Sequence, residues 1–254
     1  MKEFLGISIL TAGILFCLAG CSEQKTSPGV GKTATPIVNQ DEQDMEAKIQ
    51  AIISQKGDVN QRERDIPLLT WAIEKRYVNC VKLLLENKAD PEIPPLPRST
   101  DTPLMGCSSS LDLAIPETET LFLTEEKSGK IMALLIAHQA KVNHRNGLDE
   151  TPLHKAALVG RDDLCLLLIN AGADVDAQDK LGNTPLHAAA RGGYFKAVRL
   201  LVDKGARPLA NKLGKTPLDL AATREDEKLH EESRAINKNF YRLCDYDQTI
   251  AVLR

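Results

Sequence analysis

Five histidines, six cysteines and a few carboxylate pairs are the side chains of this 254-residue chain that could do chemistry. His138, His144 and His230 have no cysteine or carboxylate at metal-ligand spacing. No HExxH, GxSxG or CxxC pattern occurs. Glu125-Glu126 and Glu231-Glu232 lie in polar stretches and read as solvated surface. Gly29-Val30-Gly31-Lys32-Thr33 has the end of a phosphate-binding loop. The full motif needs a glycine where Thr26 stands, a strand before it and a helix after it. Nucleotide binding is therefore rejected. The residues point to no catalytic set, no metal site and no cofactor.

One cysteine stands apart by its position. Cys21 follows a charged start (Lys2, Glu3), the apolar run Phe4 to Leu18 and the small pair Ala19-Gly20. An apolar run near fifteen residues is short for a membrane span, which needs roughly 20, and suits a secretory signal. Leu18-Ala19-Gly20-Cys21 resembles the lipobox of bacterial lipoproteins. The resemblance implies cleavage after residue 20 and acylation of Cys21. Ser22, in place of Asp, implies outer-membrane sorting by the enterobacterial rule. An ordinary signal cut nearby, with Cys21 a plain thiol, is the alternative. Residues 21–43 then make a polar tether rich in Ser, Thr, Pro, Gly and Gln, with an r.m.s. reach of roughly 25 Å.

Composition bounds the remainder. Thirty-two basic against 35 acidic residues leave a net charge of −3, which argues against nucleic acid as a partner. Aromatics at 4% argue against a stacking platform for bases or sugars. Hydrophobic residues at 43% and charged residues at 26% fit a globular chain. Six cysteines are too few for a disulfide scaffold of this length.

The elements that must position everything else are announced by self-similarity. Thr151-Pro152-Leu153-His154 recurs 33 residues later as Thr184-Pro185-Leu186-His187, and Thr216-Pro217-Leu218-Asp219 follows 32 further on. Thr102-Pro103-Leu104-Met105 and Pro67-Leu68-Leu69-Thr70 are weaker copies. Each copy leads to a leucine-rich stretch and, in the regular cases, a Gly-Ala pair: Gly172-Ala173 and Gly205-Ala206. Threonine suits a helix N-cap, and proline suits the next position, where no intrahelical N–H is needed. Ala156-Ala157 and Ala189-Ala190 let helices approach closely. Gly172 and Gly205 suit left-handed C-caps. Helices of about ten residues are marginal alone, so stacking must stabilise them.

The period and the Thr-Pro-Leu-His start resemble the ankyrin repeat family over residues 44–254. The resemblance implies an all-α solenoid of stacked helix-turn-helix units with β-turn tips. We read an N-terminal capping segment (residues 44–57, with Ile49, Ile52 and Ile53 at helical spacing) and about five repeats. The fifth ends in a charged helix over 224–238. Lys88 and Gln139 replace the C-cap glycine in the first two repeats, which should weaken them. Thr102 to Thr151 spans 49 residues, a 16-residue excess placed within 106–129. A protruding loop at a partner site and a tolerated surface insertion are both open there. In the family, histidines such as His154 and His187 hydrogen-bond the backbone of the neighbouring turn. Cys80 and Cys165 fall on apolar second-helix places and read as buried thiols, while a Cys80–Cys107 disulfide between adjacent repeats stays open.

In ankyrin proteins partners usually lie on the tips and on the concave face of the first helices. Carried over, the matching positions here are Leu148, Glu150, Leu158, Lys180, Leu181, Asn183, Arg191, Lys212, Leu213 and Lys215. Leu148, Leu181 and Leu213 recur at one place per repeat. They read either as an apolar binding row with a basic border or as half-buried tip-to-tip packing. Trp71 reads either as a partner anchor or as cover for the weak second repeat. The expectation is a non-catalytic protein-interaction module in the bacterial cell envelope, anchored in the membrane through Cys21 and facing the periplasm. Its protein partner is unknown, and no nucleic acid or small-molecule substrate is expected. An inhibitor or regulatory subunit of one periplasmic enzyme or toxin is the alternative. A periplasmic hydrolase is disfavoured by the missing nucleophile, base or metal set.

Overall fold

The computed structural model describes residues 40–63, 65–109, 120–222 and 246–253. The signal, residues 21–39 of the expected tether with Cys21, Cys244 and the charged helix expected over 224–238 lie outside the described residues, whereas residues 40–43, expected to end the tether, are the first turn of the first helix. Eleven helices are present among those described: α1 (Gln40–Ser54), α2 (Leu68–Glu74), α3 (Val78–Glu86), α4 (Pro103–Ser109), α5 (Thr120–Ala137), α6 (Pro152–Leu158), α7 (Asp162–Asn170), α8 (Pro185–Arg191), α9 (Phe195–Asp203), α10 (Pro217–Ala222) and α11 (Tyr246–Leu253). The only strands among the described residues, β1 (Arg62–Glu63) and β2 (Ile66–Pro67), form an antiparallel hairpin before α2.

The helices stack in two layers. Each short first helix packs on the next in the series α2, α4, α6, α8, α10. The second helices form the parallel series α1, α3, α5, α7, α9, α11. Among the described residues no first helix precedes α1. It buries Met45 and Ile49 on α3, with Ile52 and Ile53 packed at the rim. The described residues thus form a helical solenoid of the all-α class whose core is the seam between the layers.

Local chemistry explains each unit. Thr151 takes an extended conformation (φ −102°, ψ 166°), and Pro152 opens α6 where its missing N–H leaves no bond unmade. Ala156, Ala157, Ala189 and Ala190 are wholly buried. Their small side chains let neighbouring first helices approach. On α7, Leu164, Cys165 and Leu168 face inward. Burying one such leucine stabilises by about 1.5–3 kcal/mol. The second helices stop at left-handed residues: Gly172 (φ 90°) and Gly205 (φ 89°), but also Lys88 and Gln139 (both φ 67°). The same C-cap bonds form in both cases. Ala173 N–H donates to Leu168 C=O at 2.9 Å, and Ala89 N–H to Leu84 C=O at 2.9 Å.

The second repeat shows where half of the insertion goes. Helix α4 is seven residues long, as α6 is, but α5 has 18 residues against nine in α7. Both end two residues before their left-handed cap, so the added residues extend α5 at its N-terminus. This part of the excess is helix and not protruding loop. Residues 110–119 lie outside the described residues. The extension docks through Ser128, whose hydroxyl receives a hydrogen bond from the Arg76 guanidinium. Its carbonyl accepts from Cys107 Sγ at 3.5 Å. Trp71 is half-buried, packs on the core and meets Tyr77 of its own repeat edge-on at 5.6 Å. Among the described residues no helix is long and apolar enough to cross a membrane.

Candidate protein-binding surface

The three regular tips are built by one device. Asn146 Oδ1 accepts the N–H groups of Leu148 (2.9 Å) and Glu150 (3.0 Å). Asp179 Oδ1 does the same for Leu181 and Asn183, both at 2.8 Å. Asn211 Oδ1 does it for Leu213 (2.9 Å) and Lys215 (3.0 Å). The turn then needs a left-handed residue, supplied by Gly182, Gly214 and, at φ 60°, Asp149. An Asn or Asp five residues before each motif threonine is the sequence signal of these tip-builders, none of which is among the candidate positions carried over from the family.

Backbone bonds hold successive tips in register. Lys180 N–H donates to Leu148 C=O at 3.0 Å, and Lys212 N–H to Leu181 C=O at 2.9 Å. Leu148, Leu181 and Leu213 therefore occupy one place in three consecutive tips. They are 59%, 58% and 74% exposed, so they are not packed tip against tip. Lys180 and Lys212 border them, and the Lys212 ammonium donates to Lys180 C=O at 2.7 Å.

Other carried-over positions fall differently. Asn183 is half-buried; its amide donates to Asp179 at 3.1 Å and its Oδ1 accepts from Asn211 at 2.8 Å. Glu150 pairs with Lys155 at 2.7 Å and accepts from Asn146 at 3.0 Å. Burial alone would raise its carboxyl, but these two partners hold it below the usual glutamate value. Lys215 is half-buried and its backbone closes the fifth tip. Leu158 (44% exposed) and Arg191 lie at the ends of α6 and α8, away from the tips.

The histidines serve the scaffold. His154 Nδ1 accepts from Thr151 N–H at 3.1 Å, and Nε2 donates to Asn183 C=O at 3.0 Å in the next repeat. His187 repeats this with Thr184 (3.0 Å) and Lys215 (3.1 Å). Burial lowers both rings from the usual histidine value. Asp219 takes the same place in the fifth repeat and accepts Thr216 N–H at 2.7 Å.

Cys80, Cys107 and Cys165 are separate buried thiols, so the Cys80–Cys107 bridge is not formed. Burial pushes the Cys80 thiol up to about 12 and raises Cys165 as well, which keeps both protonated and unreactive. No group of three or more His, Cys, Asp and Glu side chains among the described residues is arranged to hold a metal. An open groove of about 300 Å3 lies between the second and third tips. Its polar walls bond to one another: His144 Nε2 to Thr100 C=O at 2.9 Å, and Gly147 N–H to Thr100 Oγ1 at 2.7 Å.

A two-layer helical solenoid with a rigid ladder of turn tips defines a repeat protein that presents one edge. Comparison with known families identifies the repeat. A model for ankyrin repeats in three copies matches residues 160–231, and a single ankyrin repeat model matches residues 65–94. The chain carries ankyrin repeats, a unit that generally serves protein–protein interaction. A search of curated proteins finds no match to this chain.

Proposed function

We propose that this chain is a membrane-anchored ankyrin lipoprotein of the bacterial cell envelope. It binds another protein through its tip edge and catalyses no reaction itself. Acylated Cys21 supplies the anchor, a reading supported by the Leu18-Ala19-Gly20-Cys21 motif. Ser22 favours the outer membrane, with the solenoid facing the periplasm. The observation that carries the binding reading is the row of Leu148, Leu181 and Leu213, exposed yet fixed in register. Exposed apolar side chains on a rigid frame lose little entropy on binding, so they favour association.

The test is a photo-crosslinking amino acid placed at residue 181 in intact cells, with mass spectrometry of the captured species. The expected result is one protein captured at residue 181 and not from residue 166 on the outer face of α7. Equal capture from both sites overturns the reading. Accumulation of the unprocessed chain under globomycin checks the anchor; normal processing removes it.

A further inference from the structure

Asn146 is the only asparagine of this chain with glycine after it. Such a pair carries its own chemistry. The Gly147 backbone nitrogen gives up its proton and attacks Asn146 Cγ. The N–Cγ bond forms, the Cγ–Nδ2 bond breaks, and Nδ2 leaves as ammonia with that proton. Water then opens the resulting imide at either carbonyl and yields aspartate or isoaspartate. Glycine permits the attack best, because no Cβ shields its nitrogen. Water is the only co-reactant.

The folded tip holds each group that must react. Asn146 is buried, and its Nδ2 donates to Asp101 Oδ1 at 2.8 Å and to Glu150 Oε2 at 3.0 Å. Gly147 N–H donates to Thr100 Oγ1 at 2.7 Å. Closing the imide removes Nδ2 and the Gly147 N–H, so all three of these bonds are lost. Two of them end on ionised carboxylates, which makes them the strong kind. Their loss would leave Asp101 and Glu150 without the amide that joins them. Ring closure is therefore disfavoured in the closed tip and proceeds through its local opening. Thr100 and Asp101 belong to the second repeat, so the neighbouring repeat is the gate.

The other tips show what sets this one apart. Asn211 builds the fifth tip with the same turn, but Lys212 follows it and its Nδ2 donates to the neutral Asn183 Oδ1. The fourth tip already carries a carboxylate, Asp179, and meets it with the Asn183 amide. An aspartate at 146 would instead stand beside Asp101 and Glu150. Isoaspartate would also add a methylene to the backbone two residues before Leu148, whose carbonyl accepts the Lys180 N–H at 3.0 Å. We propose that Asn146-Gly147 is a self-modifying site gated by the second repeat. It converts when Thr100 and Asp101 release it, and the conversion unlatches the third tip from its neighbours.

The test incubates the detergent-solubilised full chain at mildly alkaline pH. Peptic digestion in acid then stalls the reaction, and mass spectrometry follows the conversion at residue 146. A synthetic peptide of residues 141–152 gives the ungated rate. The full chain is expected to convert at least tenfold more slowly than the peptide. Thr100→Ala and Asp101→Ala should each convert at least threefold faster than the wild-type chain. Thr100→Ser, which keeps the hydroxyl, should convert at the wild-type rate. Adding Gly147→Ala to Thr100→Ala should remove the gain. Circular dichroism confirms that each variant is folded. Conversion of the full chain at the peptide's rate overturns the proposal, as does an unchanged rate in Thr100→Ala and Asp101→Ala. The converted chain separates by ion exchange on its added negative charge. Its Lys180 amide should exchange with deuterium at least tenfold faster than before conversion, and unchanged exchange overturns the unlatching.

Discussion

His154 reaches across 29 residues to the carbonyl of Asn183, at 3.0 Å, and so ties the third repeat to the tip of the fourth. Its other nitrogen accepts the Thr151 N–H, so the ring must be neutral. A protonated Nδ1 would present a hydrogen to a hydrogen. His187 makes the same tie between the fourth and fifth repeats.

The pH dependence follows from that geometry. Both rings are held below the usual histidine value by burial, so the unfolded chain takes up protons first as pH falls past about 6.5. The stability they confer is complete above that value and declines as pH falls toward the folded-state value. The urea midpoint is therefore expected to drop between pH 7.5 and 5.5. His154→Gln with His187→Gln should flatten this dependence, read as the difference from wild type at each pH. An unchanged slope would show that the ties do not require neutral rings.

The C-caps yield a second expectation. Lys88 and Gln139 hold φ 67° where the later repeats use Gly172 and Gly205. A side chain in that conformation costs about 1–2 kcal/mol, and glycine's greater freedom in the unfolded chain returns part of the gain. Lys88→Gly and Gln139→Gly should each stabilise by about 0.5–1 kcal/mol, measured as a higher urea midpoint at constant slope. Gly172→Lys should destabilise by a similar amount. A loss on either glycine substitution would mean that the lysine or glutamine stem packs more strongly than its backbone is strained.

Much of this architecture was legible in the chain. Thr-Pro-Leu at a period near 33, paired alanines and the Gly-Ala stops each have one physical job, and together they define stacked helix pairs. The tip-builders Asn146, Asp179 and Asn211 are equally periodic but were not legible as such, because a polar residue in a loop has many ordinary explanations. The exposure of Leu148, Leu181 and Leu213 was not legible. A leucine in a turn packs or protrudes according to the register of the neighbouring tip, which only the ladder through Lys180 and Lys212 settles. The continuation of α5 through Glu126 and Ser128 was also hidden, since a polar, charged stretch carries little helical periodicity.

The tips exchange partners in a way that can be measured. In the third tip Asn146 Nδ2 donates to Asp101 (2.8 Å) and Glu150 (3.0 Å). In the fourth, the carboxylate is Asp179 and the donor is Asn183. Asn146→Asp would keep the turn's acceptor but set three carboxylates together. The expected loss is about 2–3 kcal/mol by urea unfolding at pH 7. Adding Glu150→Asn recreates the arrangement of the fourth tip and should recover about half of it. Additive losses in the double variant would show that the two positions are not coupled.

The first repeat has the opposite defect. Thr70 stands where His154 and His187 stand later, and its hydroxyl is buried without a hydrogen-bond partner. The reason lies three residues earlier. Pro67 occupies the cap position and has no N–H to offer, so a histidine there would lack half of its box. A buried hydroxyl with no partner costs about 1–3 kcal/mol, whereas a methyl of the same shape costs nothing to desolvate. Thr70→Val is expected to raise stability by about 1 kcal/mol in urea unfolding. At Thr151, whose hydroxyl lies 2.9 Å from His154 Nδ1 and whose side chain caps α6, the same change should lower stability by about 1 kcal/mol. Opposite signs at these two threonines would separate a wasted polar group from a working cap within one repeating scaffold. A loss at both sites would mean that the Thr70 hydroxyl finds a partner in solution.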